Sequence, residues 1–185
     1  TKPKLIMFGD SIMEGYSSEQ LYSFYERDDI WAELLKQHYD VHYIAVSGRG
    51  LFDKGLPLNV YQQFQKFIDN NLDADICCLE LGVNDLAKYE ADEVLEKVNE
   101  FLLYAQQQLP NNKIFYMGYC GYGKDFGRMP LHEFMEKYDN IICPVLDLRD
   151  FKQQLVGSDG LHYKLEAQKL VADQVHQFIQ KQLSK

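Results

Sequence analysis

The chain has 185 residues, of which 46% are hydrophobic and 25% charged, with a formal net charge of -9. That composition fits a single globular domain spanning residues 1–185 and excludes a disordered chain. The acidic balance argues against a general nucleic-acid binder or a binder of anionic membranes.

The opening Thr1-Lys2-Pro3-Lys4 leads into only four apolar residues, Leu5 to Phe8, too few for a signal peptide. The same run reads as a first buried strand. Further short apolar runs follow at Val41 to Val46, Ile76 to Leu81, Lys113 to Gly118 and Ile141 to Leu146. Continuous rather than alternating apolarity predicts strands covered on both faces. Helical spacing lies between and after them. Ile30, Leu34 and Leu35 fit one helix, and Val94, Leu95, Val98, Phe101 and Leu102 a second. Leu170, Val171, Val175, Phe178 and Ile179 fit a third, from about Lys164 to Leu183. Alternating strands and helices predict an α/β fold: a three-layer α/β/α arrangement around a five-stranded parallel sheet. The flavodoxin-like order 2-1-3-4-5 is the expected one. No apolar run approaches the roughly 20 residues of a membrane helix, so no membrane span is expected.

Cys77 and Cys78 are adjacent in a strand and so point to opposite faces, and no metal-ligand spacing links them to Cys120 or Cys143. Buried free thiols in a reducing compartment follow, and a cytoplasmic location with them. His38, His42, His132 and His176 belong to no metal motif, and no metal or cofactor is expected.

In such a sheet ligands sit beyond the carboxyl ends of the strands, near the switch point beside the first strand. The segments found there are Gly9-Asp10-Ser11-Ile12, Ser47-Gly48-Arg49-Gly50 and Gly82-Val83-Asn84-Asp85. Their strands are neighbours in the expected order, so the three converge on one crevice. A serine nucleophile needs a base, and the base a group that orients it. Ser158-Asp159-Gly160-Leu161-His162 supplies both, with Asp159 close enough in a turn to reach Nδ1 of His162. Residues 148 to 158 are long enough, at up to about 36 Å, to carry His162 back over the crevice to Ser11. Ser11 N–H, Gly48 N–H (accessible because glycine lacks a side chain) and the Asn84 amide would serve as oxyanion donors. Asp10 reads as a structural hydrogen-bonding group and Asp85 as a turn or helix cap.

These four blocks, in order and at strand ends, resemble the signature blocks of the SGNH (GDSL-type) hydrolase family. The resemblance implies an esterase-like hydrolase without a metal. It makes Ser11 the nucleophile, His162 the base and Asp159 its partner, with Gly48 and Asn84 in the oxyanion hole. Met13, Tyr43 and Tyr163 depart from residues common in the family, and Met13 and Tyr163 are expected beside the site.

The expected reaction is cleavage of a small-molecule carboxylic ester through an acyl-enzyme. A thioesterase, a lysophospholipase or a carbohydrate deacetylase would use the same residues. The stretch from Asn84 to Asp159 leaves no room for a large lid, which favours soluble substrates of modest size. A non-catalytic flavodoxin-like binding module is the alternative from another class, and Asp10 and Glu14 oppose a phosphate there. The segment Gly118 to Lys124 matches a phosphate-loop spacing, but Asp125 replaces the required Ser or Thr. That loop is instead expected to border the substrate pocket through Tyr119, Tyr122 or Phe126.

Overall fold

The computed structural model describes residues 1–19, 23–52, 58–120, 130–150 and 155–185. The first apolar run forms β1 (Lys4–Gly9), with Leu5 to Phe8 fully buried. One helical turn, α1 (Ser11–Glu14), follows at once. A short antiparallel ribbon pairs β2 (Tyr16–Ser17) with β3 (Ser23–Phe24). Then come α2 (Trp31–Leu34), β4 (Asp40–Ala45), α3 (Val60–Asp69), β5 (Ile76–Leu79), α4 (Ala91–Gln108), β6 (Lys113–Met117), α5 (Leu131–Met135), β7 (Val145–Leu146) and α6 (Leu165–Leu183).

The five-stranded sheet runs β4-β1-β5-β6-β7 and is parallel throughout. Numbered by chain position, this is the expected order 2-1-3-4-5. Register shows the layers, because paired residues of a parallel sheet share a face. Met7, Cys78 and Phe115 form one row, and Phe115 meets Phe178 of α6 at 5.0 Å between ring centroids. Phe8, Leu79 and Tyr116 form the next row, on the opposite face. There Phe8 meets Phe64 of α3 at 5.3 Å and Phe101 of α4 at 6.0 Å. Thus α6 covers one face and α3 and α4 the other, which gives three layers.

Several local expectations are corrected. β4 lies at the sheet edge, and its residues alternate rather than being covered twice. Val41 is buried, His42 is exposed and Ile44 is 37% exposed. The last strand is only Val145–Leu146. Pro144, which has no N–H to donate, precedes it, while Ile141 and Cys143 are buried outside any strand. Leu170 is 46% exposed, so the inward stripe of α6 is Ala167, Val171, Val175 and Ile179. α3 has no counterpart in the sequence expectation, although Val60, Phe64 and Ile68 recur every fourth residue behind an Asn59–Gln62 capping box. All four cysteines are free and buried. Among the described residues no helix is long and apolar enough to cross a membrane.

Candidate active site

The turn after β1 presents Ser11. Asp10 caps α1, its Oδ1 accepting the Ile12 N–H at 3.0 Å, and Gly15 ends the turn at φ 90°. The indole N–H of Trp31 donates to the Ile12 carbonyl at 3.0 Å and fixes the turn from outside. Ser11 is left 8% exposed, with its Oγ 2.7 Å from His162 Nε2.

His162 stands on a closed loop. Val156 bridges Tyr163, and the Gly157 N–H donates to the His162 carbonyl at 2.8 Å. Gly160 adopts φ 69°, which a residue with a Cβ seldom does. Asp159 Oδ1 accepts the N–H groups of Leu161 and His162 at 2.9 and 3.0 Å, while its Oδ2 lies 2.5 Å from His162 Nδ1. Burial would raise the Asp159 carboxyl, but the hydrogen bond and charge of His162 hold it below its ordinary value. A carboxylate on Nδ1 selects the Nδ1–H tautomer. The Nε2 lone pair then accepts the Ser11 hydroxyl proton. Tyr16 stands edge-on to the imidazole, 4.7 Å between ring centroids.

Gly48, after β4, adopts φ 82°, and among the described residues no atom lies within 4 Å of where a Cβ would stand. The positive φ is a conformation that favours glycine here. Three contacts fasten its loop. Ser47 donates its N–H and hydroxyl to Glu14 Oε2 at 2.9 and 2.6 Å. Arg49 lies 3.9 Å over the Phe8 ring and donates to the Gly9 carbonyl at 2.9 Å. The Asp85 carboxylate accepts the Leu51 N–H at 2.9 and 3.0 Å, which makes Asp85 a tie between two loops.

Asn84 Nδ2 donates to the Arg49 carbonyl at 2.9 Å and to Asp10 Oδ2 at 3.2 Å. Both amide hydrogens therefore have acceptors. An oxyanion would take or share the one on the longer bond. Two buried tyrosines hold the Asn84 loop. Tyr116 O–H donates to the Leu81 carbonyl at 2.5 Å, and the Val83 N–H donates to Tyr119 Oη at 3.1 Å. Gly82 between them, at φ 120°, has Val98, Tyr116 and Val94 atoms 3.3 to 3.4 Å from any added Cβ.

Ser11, His162 and Asp159 thus form one hydrogen-bonded chain. Asn84 touches it through Asp10, and the Gly48 loop reaches Asn84 through Arg49. Tyr119, Met13 and Tyr163 are buried. Tyr122 and Phe126 lie outside the described residues. The sequence reading misses Trp31, Arg49 and Glu80. Glu80 had a visible signal, as a lone carboxyl inside an apolar strand run. Among the described residues no group of three or more His, Cys, Asp or Glu could hold a metal.

The profile of the GDSL-like Lipase/Acylhydrolase family matches residues 7–162, from β1 through His162. The chain belongs to the GDSL-like lipase/acylhydrolase family. This GDSL-like protein is thereby an enzyme, a carboxylic ester hydrolase of the SGNH type. A search among curated proteins returned no match. Solved structures share its fold. A carbohydrate acetylesterase family member from Sinorhizobium meliloti has TM-score 0.71 and 16% identity, with 98% of this chain and 100% of that one covered. The native aryl esterase of M. smegmatis has TM-score 0.69 and 18% identity, covering 95% and 99%. The psychrotrophic esterase EstA from Pseudoalteromonas sp. has TM-score 0.68 and 18% identity, covering 100% of both.

Proposed function

We propose that this GDSL-like hydrolase cleaves small carboxylic esters through an acyl-enzyme on Ser11. The observation that carries this reading is the hydrogen-bonded chain Ser11 Oγ–His162 Nε2 and His162 Nδ1–Asp159 Oδ2, at 2.7 and 2.5 Å. Ser11 Oγ attacks the acyl carbon as its proton passes to His162 Nε2. The negative charge that develops on the acyl oxygen is met by the Ser11 and Gly48 N–H groups and the Asn84 amide. The imidazolium is stabilised by the Asp159 carboxylate and returns its proton to the leaving alkoxide. Water then attacks the acyl carbon, gives its proton to His162, and the acid leaves as Ser11 Oγ takes that proton back.

The favoured substrate class is acetyl and other short acyl esters. The shared fold with proteins named as a carbohydrate acetylesterase and an aryl esterase supports it. Rates on p-nitrophenyl acetate, butyrate and octanoate test this reading. The expected order is acetate first and octanoate last, with all three lost in Ser11→Ala. A preference for octanoate would contradict the short-acyl assignment, and a fully active Ser11→Ala would contradict the nucleophile.

A further inference from the structure

Glu80 ends the apolar run of β5 and is fully buried, as is Asp10 in the turn that presents Ser11. The Asp10 N–H donates to Glu80 Oε1 at 3.2 Å, which sets the two buried carboxyl groups side by side. Two carboxylates in contact away from water repel strongly, so one of them holds a proton. Asp10 is the better anion. It caps α1 through Ile12 at 3.0 Å and accepts the Asn84 amide. Among the described residues Glu80 receives longer bonds, from the Asp10 N–H and from Tyr119 O–H at 3.3 Å. Burial drives Glu80 well above its ordinary value, and the neighbouring Asp10 drives it the same way.

The other groups facing the pair agree with one negative charge. Arg49, from the Gly48 loop, supplies positive charge to both carboxyls, and His162 does so to Asp10 when protonated. Tyr116, Tyr119 and Tyr163, from β6, its end and the His162 loop, are kept neutral by burial, as is Cys78 on β5. With one proton on the pair, Asp10 and Arg49 balance. With none, a second charge is buried without a partner.

We propose that Glu80 is a positioning residue: it donates its retained proton to Asp10, so that Asp10 remains a single anion that orients the Asn84 amide without monopolising it. This rests on the reading of Asn84 as an oxyanion donor. Without the Glu80 donor, Asp10 either binds Asn84 more tightly or takes up a proton and releases it. In the first case the amide is held back from the oxyanion, and in the second it is no longer aimed at it.

The test is a set of four variants assayed on p-nitrophenyl acetate: Glu80→Gln, Glu80→Leu, Asn84→Ala and the double variant Glu80→Leu/Asn84→Ala. Gln reproduces the neutral, donating form of Glu80 and is expected to keep kcat within about threefold. Leu removes the donor and is expected to lower kcat by about tenfold or more with KM within about twofold, a fraction of the loss of a whole oxyanion donor. A residue acting through Asn84 has nothing left to lose without it, so the double variant should be no slower than Asn84→Ala. A Glu80→Gln variant as slow as Glu80→Leu would overturn the proposal, because the donor would then not be what matters. So would a Leu loss that multiplies undiminished onto Asn84→Ala. If Glu80→Leu fails to fold, Glu80→Gln alone decides. Failure of the underlying reading is separately visible, as a fully active Asn84→Ala or as no fluorophosphonate adduct on Ser11, and the proposal falls with it.

Discussion

Trp31 and Gln168 join the two halves of the proposed catalytic assembly. The Trp31 backbone N–H donates to Gln168 Oε1 at 2.9 Å inside the protein, while the indole N–H holds the Ile12 carbonyl one residue past Ser11. Gln168 stands in the first turn of α6, which continues directly from the His162 loop. The serine turn and the helix that follows the histidine loop, far apart in the sequence, are therefore referenced to one residue, Trp31. Replacing Gln168 with Leu keeps the bulk but leaves the Trp31 N–H without an acceptor. A cost of about 1–3 kcal/mol is expected. Calorimetry should show a lower Tm, with kcat falling more than KM rises.

Gly48 offers a second test, because conformation and space give opposite forecasts there. A Cβ would meet no atom of the described residues, yet φ is 82°. Asn tolerates that region better than Ala, and a β-branched residue tolerates it worst. Activity should fall in the order Gly48→Asn, Gly48→Ala, Gly48→Val, with about 1–2 kcal/mol of strain at Ala. Equal activity across the three would show that the backbone conformation is not limiting.

Asp159 sets both a rate and an acid limit. Asp159→Asn keeps the shape but turns an acceptor toward Nδ1 into a donor, which favours the wrong imidazole tautomer. A loss of about 10⁴ in kcat is expected, with circular dichroism unchanged. The Asp159 carboxyl titrates below its unfolded value. The unfolded chain then binds the proton first, so the stability this group adds is present above about pH 3.9 and is lost as the pH falls further. Urea unfolding at falling pH should show a smaller acid loss in Asp159→Asn than in the parent.

The Asp10–Glu80 pair works in the opposite direction. Burial pushes the Asp10 carboxyl up to about 6, against its favourable hydrogen bonds. Unfolded, it titrates near about 3.9. Between these values the folded protein holds a proton that the unfolded chain has released, so this site removes stability as the pH rises through the window. Carboxyl-carbon chemical shifts in aspartate-labelled protein should reveal one residue titrating near the upper value. Ordinary titration of every aspartate would contradict the buried pair.

Much of this molecule is legible in its sequence. The apolar runs locate β1, β5 and β6 because central strands of a parallel sheet are covered on both faces. The edge strand β4 and the truncated β7 are less legible, since their burial depends on what lies beside them. Ser11, Asn84, Asp159 and His162 stand out because their proposed roles require particular residue types, the first two just after strands and the last two in one tight turn. What the sequence hides is how they are held. The hydrogen bonds of Trp31 and Gln168, the tyrosines behind Leu81 and Val83, and the carboxyl pair all join residues remote in the chain. No local spacing encodes them. Tyr119 illustrates this: expected at the pocket border, it braces the Asn84 loop together with Tyr116.

The central claim is that Ser11 forms the acyl-enzyme, and trapping that serine tests it most directly. After incubation with a fluorophosphonate, intact mass and peptide mapping should show one adduct, on Ser11, with esterase activity lost in proportion to labelling. Ser11→Ala should take up no label and turn over no ester. An adduct on another residue, or ester turnover that survives full labelling of Ser11, would contradict the account.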